Sequence, residues 1–276
     1  MNKISFVILN YNSFDMTLKL IENIERIRPD TFSTDIIVVD NNSTNESKSV
    51  LEDKSDNGKR YIFIANSSNA GYAAGNNIGI KKAIKNGANF VLVTNNDIVI
   101  ENFQSIKNMY NIMMTDASVA VVSPKIMGKN GENDPPLYIE CPSFIDMTFG
   151  ILNSRKRRFL FQQDQNAEIY APRGSFMLLR GETIQEIGFL DESTFLYYEE
   201  PILAEKLTRV GKKAWYCGES VVIHNHGETI TSVFKKKKTC EILCNSLRYY
   251  LKEYRKMNRI QIAICVAFRK LAFFRR

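Results

Sequence analysis

The stretch Asn89-Phe-Val-Leu-Val-Thr-Asn-Asn-Asp-Ile-Val99 decides the fold predicted for this chain. Its apolar half is typical of a short buried strand, which ends at a polar tip carrying one carboxylate, Asp97. In open α/β sheets, ligands bind outside the carboxyl ends of the strands, so an acid at this tip is expected to face a cleft. Taken alone, Asn-Asn-Asp is also an ordinary turn sequence, and the rest of the chain has to separate the two interpretations.

Segments of strand and helix character alternate around this stretch. Buried strands are predicted at 3–9, 35–39 and 61–64, and helices at about 14–27 and up to Asn86-Gly87. Farther on, the pattern predicts a strand at 172–180, a helix from Glu199-Glu200-Pro201 to about Val210, and a strand pair at 214–217 and 221–224. Residues 124–170 are expected to be irregular. The alternation favours an α/β fold with a mostly parallel, Rossmann-like sheet and flanking helices.

Three of the predicted strands end in polar clusters, which a parallel sheet would bring to one edge. The clusters are Asn10-Tyr11-Asn12, Asp40-Asn41-Asn42-Ser43 and Asn95-Asn96-Asp97. A further polar segment, 69–77, carries two glycines but has neither the Gly-x-Gly-x-x-Gly spacing nor the Gly-Lys-Ser/Thr of a P-loop. Its glycines are expected to let the backbone approach a ligand or a neighbouring strand. Three coincident tips favour a ligand site over three unrelated turns.

Length and composition indicate a globular protein. The 276 residues, 44% of them hydrophobic, are enough to bury a full core. No apolar run reaches the roughly 18 residues that span a bilayer, and Met1 leads into a strand pattern without a signal-peptide core, so a cytoplasmic protein is expected. The five cysteines include no Cys-x-x-Cys pair, which supports neither a disulfide framework nor a zinc site.

Positive charge is concentrated at the C-terminal end. Residues 235–276 hold 13 Lys and Arg against 2 Glu, whereas 1–234 is mildly acidic. The sequence therefore predicts an α/β domain over 1–234 and a basic amphipathic helical tail over 235–276. Basic residues interleaved with Tyr, Ile, Leu and Phe predict an interfacial helix on an anionic membrane surface. The alternative is a helix that buries its apolar side on the body or on a second subunit of a homodimer. No nucleic-acid motif accompanies the charge, so nucleic acid is not an expected partner.

A series of short motifs resembles those of the family 2 inverting glycosyltransferases with the GT-A fold. In chain order they are Val7 to Asn12, Val38 to Ser43, Asn69-Ala70-Gly71-Tyr72 with Gly75-Asn76, Thr94 to Asp97, Gly174 to Met177, Phe189 to Glu192, Tyr198-Glu199-Glu200, and His224. The resemblance spans roughly 3–230 and is specific through the order of the motifs, since none is specific alone.

The resemblance implies a metal-dependent inverting glycosyltransferase. Such an enzyme would move a sugar from a UDP- or dTDP-sugar donor to a hydroxyl of a glycan or lipid-linked acceptor. The implied setting is the biosynthesis of a surface polysaccharide, such as capsule, O-antigen or exopolysaccharide. With the basic tail, this predicts a cytoplasmic enzyme that is peripheral on the inner face of the cytoplasmic membrane.

The motifs also imply the nucleotide-binding residues. Tyr11 would pack on the nucleobase, and Asp40 would accept a hydrogen bond from uracil or thymine. The other nucleotide-binding residues implied by the motifs are Asn10, Asn12, Asn42, Asn69, Gly71, Asn76 and Asn96. These positions belong to the strand tips and to the segment at 69–77 described above.

The family's metal-binding carboxylate is matched by Asp97, which with diphosphate oxygens would bind Mg²⁺ or Mn²⁺. Two residues earlier the family has a second acid, and this chain has Asn95. His224 falls where many members supply a histidine to the metal or the diphosphate. A hydrogen-bonded structural histidine is the alternative.

The general base is implied to lie in the pair Glu199-Glu200. Inversion by direct displacement needs a carboxylate that takes the proton of the acceptor hydroxyl. Glu200 matches the second acid of the motif, and Pro201 predicts that it lies at the positive N-terminal end of a helix. Glu199 is expected to point elsewhere if the chain approaches the helix in extended form. Asp191 is the third candidate catalytic residue.

Two other functions stay open on the sequence. A sugar-nucleotide nucleotidyltransferase also uses an α/β sheet and Mg²⁺, but is expected to carry a glycine-rich basic loop after the first strand, where Asn10-Tyr11-Asn12 stands. The second is a non-catalytic nucleotide-binding module, for which the basic tail could suggest nucleic acid, although no nucleic-acid motif accompanies that charge.

Overall fold

The computed structural model describes residues 2–30, 32–134, 138–148, 165–225 and 236–275. The strands are β1 Lys3–Asn10, β2 Ser33–Asp40, β3 Ile62–Ala65, β4 Phe90–Asn95, β5 Ile98–Val99, β6 Val119–Gly128, β7 Asn133–Asp134, β8 Ala167–Ile169, β9 Phe176–Arg180 and β10 Lys213–His224. The helices are α1 Phe14–Ile27, α2 Ser47–Lys54, α3 Tyr72–Lys85, α4 Gln104–Thr115, α5 Phe144–Thr148, α6 Gly181–Glu186, α7 Glu199–Arg209, α8 Lys236–Tyr249 and α9 Arg259–Phe274. A π-helical turn, Tyr250–Tyr254, lies between the last two helices.

One sheet organises the described residues, with the strand order β3-β2-β1-β4-β9-β6-β10-β5. Strands β3, β2, β1 and β4 are parallel, β9 is antiparallel between β4 and β6, and β10 is parallel to β6. Apolar cores lie on both faces of the sheet. One contains Leu20 of α1 and Met109 of α4, and the other contains Ile80 of α3 and Leu203 of α7. The predicted fold class, a mostly parallel sheet with flanking helices, is confirmed.

The strand register places the polar clusters at the ends of β1, β2 and β4 next to one another. Asn10 at the end of β1 is paired with Asp40 at the end of β2, and Leu9 is paired with Asn95 at the end of β4. Because these strands are parallel, their carboxyl ends share one edge.

Helix α3 packs unusually close to β1, because its inner face carries glycines. A Cβ on Gly79 would collide with Val7, and a Cβ on Gly75 would collide with Leu9. This agrees with the expectation that the glycines of this segment allow close backbone approach.

The irregular structure predicted from Pro124 onward is wrong at its start. Strand β6 continues through Pro124 to Gly128, and Pro124 is paired with Cys217 of β10. The pairing shifts register between Cys217 and Val221, so β10 is one irregular strand where two short ones were predicted. A proline cannot donate to the ladder, and the irregularity accommodates it. Neither α4 nor β6 was predicted from the sequence.

The tail folds as helices that pack on the body. A third core cluster joins Cys244 and Leu247 of α8 and Val266 of α9 to Met147 of α5 and Ile202 of α7. This contact buries part of the tail's apolar side on the body, as the alternative prediction required. Lys235, with which the predicted tail begins, lies outside the described residues. No helix in the described ranges is long and apolar enough to cross a membrane.

Candidate active site

A chain of hydrogen bonds joins the ends of β1, β2 and β4. Asn10 Nδ2 donates to Asp40 Oδ1 at 2.8 Å, and Asn10 Oδ1 accepts from the Thr17 hydroxyl at 2.8 Å. Asn96 Nδ2 donates in turn to the Thr17 hydroxyl at 2.9 Å. Both oxygens of Asp40 also accept from Ser43, one from its backbone N–H and the other from its hydroxyl. The side chains predicted from three separate strands therefore form one network.

Asp40 is fully buried within this network, where it fixes the two strand tips to each other. Its oxygens are occupied by Asn10 and Ser43, and the structure gives it this internal role. Contact between Asp40 and a pyrimidine stays a prediction.

Two asparagines at the ends of β1 and β2 have a left-handed backbone conformation. Asn12 and Asn42 have φ values of 56° and 60°, a conformation that asparagine tolerates better than most residues. The Asn12 N–H donates to the Ser43 hydroxyl at 2.8 Å, and Asn12 Oδ1 accepts from Thr44 N–H at 2.7 Å. These bonds clamp the β1 tip to the β2 tip. Tyr11 is half-buried beside the clamp, and its packing on a nucleobase stays a prediction.

The loop before α3 is held by Asn69 and Gly71. Asn69 Oδ1 accepts from Asn41 Nδ2 at 3.0 Å and from Gly71 N–H at 3.1 Å. Gly71 has a φ of +103°, and a Cβ there would collide with the Phe195 carbonyl, which accepts from Tyr72 N–H. Only glycine suits this position, and it lets the segment leading to α7 lie against the tips.

Asn76 is fully buried at the start of α3, where its Nδ2 donates to the Tyr72 carbonyl. Its Oδ1 is also buried and has no hydrogen-bond partner among the described residues. The predicted nucleotide-binding residues thus lie around one edge of the sheet. Three of them, Asn10, Asp40 and Asn76, are fully buried in the protein.

Asp97 and His224 meet at the same edge. Strand β10 runs antiparallel to β5, so that His224 is opposite Ile98 and the Asn225 N–H donates to the Asp97 carbonyl. Asp97 Oδ1 lies 3.0 Å from His224 Nε2, and both side chains are largely buried. The two predicted metal ligands, far apart in sequence, are brought into contact by strand pairing.

This pair is a suitable start for a divalent-cation site. Asp97 Oδ1 is buried yet accepts no well-aligned hydrogen bond from the described residues, so it retains lone pairs for a cation. A carboxylate oxygen and an imidazole nitrogen both suit Mn²⁺, whereas Mg²⁺ prefers oxygen alone. Within the described ranges no third His, Cys, Asp or Glu joins the pair. The other ligands would have to come from water and from a bound diphosphate.

Glu199 and Glu200 open α7 and line one cavity of about 410 Å³. His224 and Asn95 line the same cavity, which places the acid pair beside the candidate metal ligands. Glu200 Oε1 accepts a hydrogen bond from Gly174 N–H at 3.0 Å. The predicted position of Glu200 in the first turn of a helix is therefore observed.

The condition under which Glu199 was expected to point elsewhere, an extended approach to the helix, is not met. The chain does not approach α7 in extended form, because Tyr197 and Tyr198 are both left-handed, with φ values of 74° and 70°. These two strained residues turn the chain at the start of α7, and both glutamates line the cavity. Consecutive left-handed non-glycine residues are costly and are typical of functional sites.

Burial and the nearby Glu200 carboxylate raise the pKa of Glu199 to about 8. Its Oε1 is buried and has no hydrogen-bond partner among the described residues. A carboxyl group in this environment holds its proton near neutral pH. A protonated Glu199 cannot act as the proton acceptor, which leaves Glu200 as the candidate base of the pair.

The raised pKa of Glu199 predicts a pH-dependent stability difference. From about pH 5 to pH 8 the unfolded chain has lost this proton and the folded chain still holds it, so wild-type stability falls as pH rises through this window. Glu199→Gln cannot ionise. We expect the unfolding free energy of Glu199→Gln, measured relative to wild type by urea titration, to rise by about 1 to 4 kcal/mol between pH 5 and pH 8. A difference that stays constant with pH would contradict the assignment.

Asp191 lies at the junction with the C-terminal helices. Its Oδ2 accepts from the hydroxyls of Tyr249, at 2.9 Å, and Tyr254, at 2.5 Å. Burial acts to raise its pKa, but the hydrogen bonds from Tyr254 and Ser193 hold the pKa below its ordinary value. Asp191 does not line the cavity that holds Glu199 and Glu200. This geometry favours a structural role, and a catalytic role for Asp191 stays a prediction.

Sequence reasoning missed several cavity residues. Tyr72 donates its hydroxyl to the Gly174 carbonyl at 2.5 Å and so closes one side of the cavity. Tyr72 ends one of the predicted motifs and Arg173 immediately precedes another, so both had a local signal in the sequence. Arg269 reaches the cavity from α9 and is one basic residue among many in the tail, so no sequence pattern distinguishes it.

Comparison with known proteins gives one family match. The model of the family described as Glycosyl transferase family 2 matches residues 5–188. The low-salt glycan biosynthesis hexosyltransferase Agl10 of Haloferax volcanii is 26% identical over 229 residues, which cover 82% of this chain and 68% of that protein. The O-antigen chain rhamnosyltransferase RfbN of Salmonella typhimurium is 23% identical over 236 residues, covering 85% of this chain and 70% of that one.

The fold matches solved structures. A crystal structure of GalNAc-T7 with UDP, GalNAc and Mn²⁺ superimposes with a TM-score of 0.67 at 13% identity. The match covers 92% of this chain but only 49% of that one, so the chain spans about half the length of that neighbour. At this identity the likeness concerns the fold alone, which is the GT-A fold.

Proposed function

Since the chain belongs to glycosyl transferase family 2, we propose that it is a metal-dependent inverting glycosyltransferase that extends a glycan or lipid-linked acceptor. The proposed donor is a UDP- or dTDP-sugar. The named relatives act in glycan and O-antigen biosynthesis, which supports a surface polysaccharide, such as capsule, O-antigen or exopolysaccharide, as the product. Family membership removes the two other functions left open by the sequence.

One observation carries the proposal: a single cavity is lined by Glu200, Glu199 and His224, and His224 contacts Asp97. The reaction needs a proton acceptor for the acceptor hydroxyl and a site for the leaving diphosphate, and it needs them close together. The structural neighbour that binds UDP and Mn²⁺ has the same fold, which supports a nucleoside diphosphate and a cation at this edge.

In the proposed mechanism, Glu200 takes the proton of the acceptor hydroxyl as that oxygen attacks the anomeric carbon. The bond from this carbon to the diphosphate breaks on the opposite face, so the configuration of the carbon is inverted. Glu200 accepts a hydrogen bond from the Gly174 N–H and lies in the first turn of α7, which orients its carboxylate. Mn²⁺ or Mg²⁺, held by Asp97 and His224, would neutralise the charge of the leaving diphosphate.

The test is a donor screen by calorimetry with UDP-, dTDP- and GDP-sugars, each with Mn²⁺ and with EDTA. We expect Mn²⁺-dependent binding of a UDP- or dTDP-sugar. Turnover of the bound donor should release the nucleoside diphosphate and give a product of inverted configuration, as read by NMR. Retained configuration, or binding of the GDP-sugar alone, would contradict the proposal.

We also propose that α9 holds the enzyme on an anionic membrane. Its outer face carries an exposed apolar stripe whose members are Ile260, Ile264, Leu271 and Phe274. Arg248, Arg259 and Lys270 line a groove beside the stripe. Apolar side chains flanked by cations are suited to the headgroup boundary of anionic lipid. Because α8 and α9 also bury part of the core, point variants test this better than removal of the tail.

The double variant Ile260→Ser/Leu271→Ser is expected to lower partitioning onto phosphatidylglycerol vesicles about 100-fold. Each side chain contributes at least about 1.5 kcal/mol when it leaves water. Flotation of the full chain measures the effect, and wild-type flotation should weaken with salt. Met114→Ser, at an exposed apolar site on α4 away from the stripe, is the control. Equal flotation of the double variant and the wild type would contradict the proposal.

A further inference from the structure

Arg269 is a cation that lines the cavity and forms no ion pair within the part of the chain that the structure describes. It lines the cavity together with Glu199, Glu200 and His224. Its Nε is buried and has no hydrogen-bond partner, and no carboxylate of the described residues lies within ion-pair distance of its guanidinium. Burial acts to lower the pKa of Arg269, but the adjacent Tyr198 and Tyr138 hold the pKa above its ordinary value. A guanidinium that lines a cavity with a buried, unsatisfied Nε and no ion pair is suited to an anionic ligand.

The helix that carries Arg269 has two opposite faces. Ile264 and Leu271 belong to the exposed apolar stripe, whereas Cys265 and Val266 are buried against the body. At 3.6 residues per turn, Arg269 is roughly 140° to 160° around the helix from both stripe residues. The apolar stripe and the cavity cation are thus separated by the width of one helix, about 10 Å.

This order of groups matches one class of acceptor. A lipid-linked sugar consists of an apolar chain, then a phosphate or diphosphate, then the sugar hydroxyl that is to be glycosylated. The protein has the same order of groups. The apolar stripe lies on the outer face of α9, Arg269 lies on the opposite face, and Glu200 lines the same cavity as Arg269. A guanidinium can donate two parallel hydrogen bonds to phosphate oxygens, and Arg269 is a cavity-lining guanidinium without an ion pair among the described residues.

We propose that Arg269 binds the phosphate group that joins lipid to sugar in a lipid-linked acceptor and thereby places the sugar hydroxyl at Glu200. This inference rests on the proposed transfer reaction and deepens it by naming the acceptor class. Arg269 lies beyond residues 5–188, the part of the chain that the family model matches. The family motifs therefore assign it no role.

The test uses farnesyl diphosphate as the phosphate-bearing lipid probe and farnesol as its neutral counterpart. Binding to the full chain is measured by calorimetry in EDTA, which prevents capture of the diphosphate through a divalent cation. Arg269→Gln is expected to weaken farnesyl diphosphate binding about 10- to 100-fold and to leave farnesol binding unchanged. Arg275→Gln makes the same charge change at an exposed position directly after α9 and is expected to have little effect.

Binding of UDP with Mn²⁺ to the same variants separates the sources of phosphate. Unchanged UDP affinity in Arg269→Gln supports an acceptor site. A parallel loss of UDP affinity would assign Arg269 to the donor, and equal losses in Arg269→Gln and Arg275→Gln would reduce the effect to general charge attraction. Either result overturns the inference.

If Arg269→Gln does not fold, Arg269→Lys decides, because it keeps the charge and removes the two-pronged donor. A folded Lys variant is expected to bind farnesyl diphosphate about 3- to 10-fold more weakly, and undiminished affinity would overturn the inference. If the wild-type protein turns over a UDP-sugar but does not bind farnesyl diphosphate, the inference about Arg269 is wrong, whereas the proposed glycosyl transfer is supported.

Discussion

Glu200→Gln is expected to lower the rate of sugar transfer by about 10² to 10⁴-fold, with donor affinity nearly unchanged. Glutamine keeps the size of the side chain, and its amide oxygen can still accept the hydrogen bond from Gly174 N–H. What it loses is the ability to take a proton, which the proposed displacement requires of this position. Single-turnover transfer rates and calorimetric donor affinities measure the two effects separately.

Two controls locate the base. Glu192→Gln changes an exposed acid that pairs with Lys81 outside the cavity, and it should transfer at the wild-type rate. Glu199→Gln tests the neighbour whose pKa is raised by burial, and it should retain more activity than Glu200→Gln. Wild-type transfer by Glu200→Gln would move the role to Glu199 or Asp191.

Asp97→Ala is expected to weaken Mn²⁺-dependent UDP binding by roughly 10²-fold or more, because the cation would lose the one carboxylate ligand that the described residues offer it. The fold should survive. Asp97 holds the β10 end through its backbone carbonyl, which accepts from Asn225 N–H and is unaffected by removal of the side chain. Calorimetry in Mn²⁺ and in EDTA measures the affinity for UDP, and the melting temperature shows whether the variant is folded.

Asp35→Ala is the matched control for this measurement. Asp35 lies near the beginning of β2, away from the strand tips, and pairs with Lys3 on the surface. Its loss should leave UDP binding unchanged. If Asp97→Ala binds UDP as tightly as wild type, with the same dependence on Mn²⁺, the metal assignment is wrong.

The sequence determined the parallel half of the sheet and the edge where the site lies. Helix α1 has the predicted bounds because its apolar spacing and Pro29 are local signals. The polar tips ending at Asn10, Asp40 and Asp97 were identifiable for the same reason, since a strand's burial and its polar end are adjacent in sequence. The order of the motifs also identified the family that the family model confirms.

The tertiary structure decided which of these groups touch. Asp97 meets His224 only because β10 pairs antiparallel with β5, a long-range contact with no local signal. A proline in the sequence argues against a continuous strand, because it has no backbone N–H to donate. Strand β6 nevertheless continues through Pro124, where the register shift in β10 accommodates the lost hydrogen bond.

The acid pair and Arg269 show the same division. Glu199 joins Glu200 in the cavity because two left-handed tyrosines turn the chain, and those tyrosines are held in place by packing. Arg269 is one of many basic residues in the tail until α9 packs on the body and directs it inward. Local periodicity fixes what a segment becomes, whereas long-range packing fixes which side chains share a cavity, because contacts between distant segments form only when the chain folds.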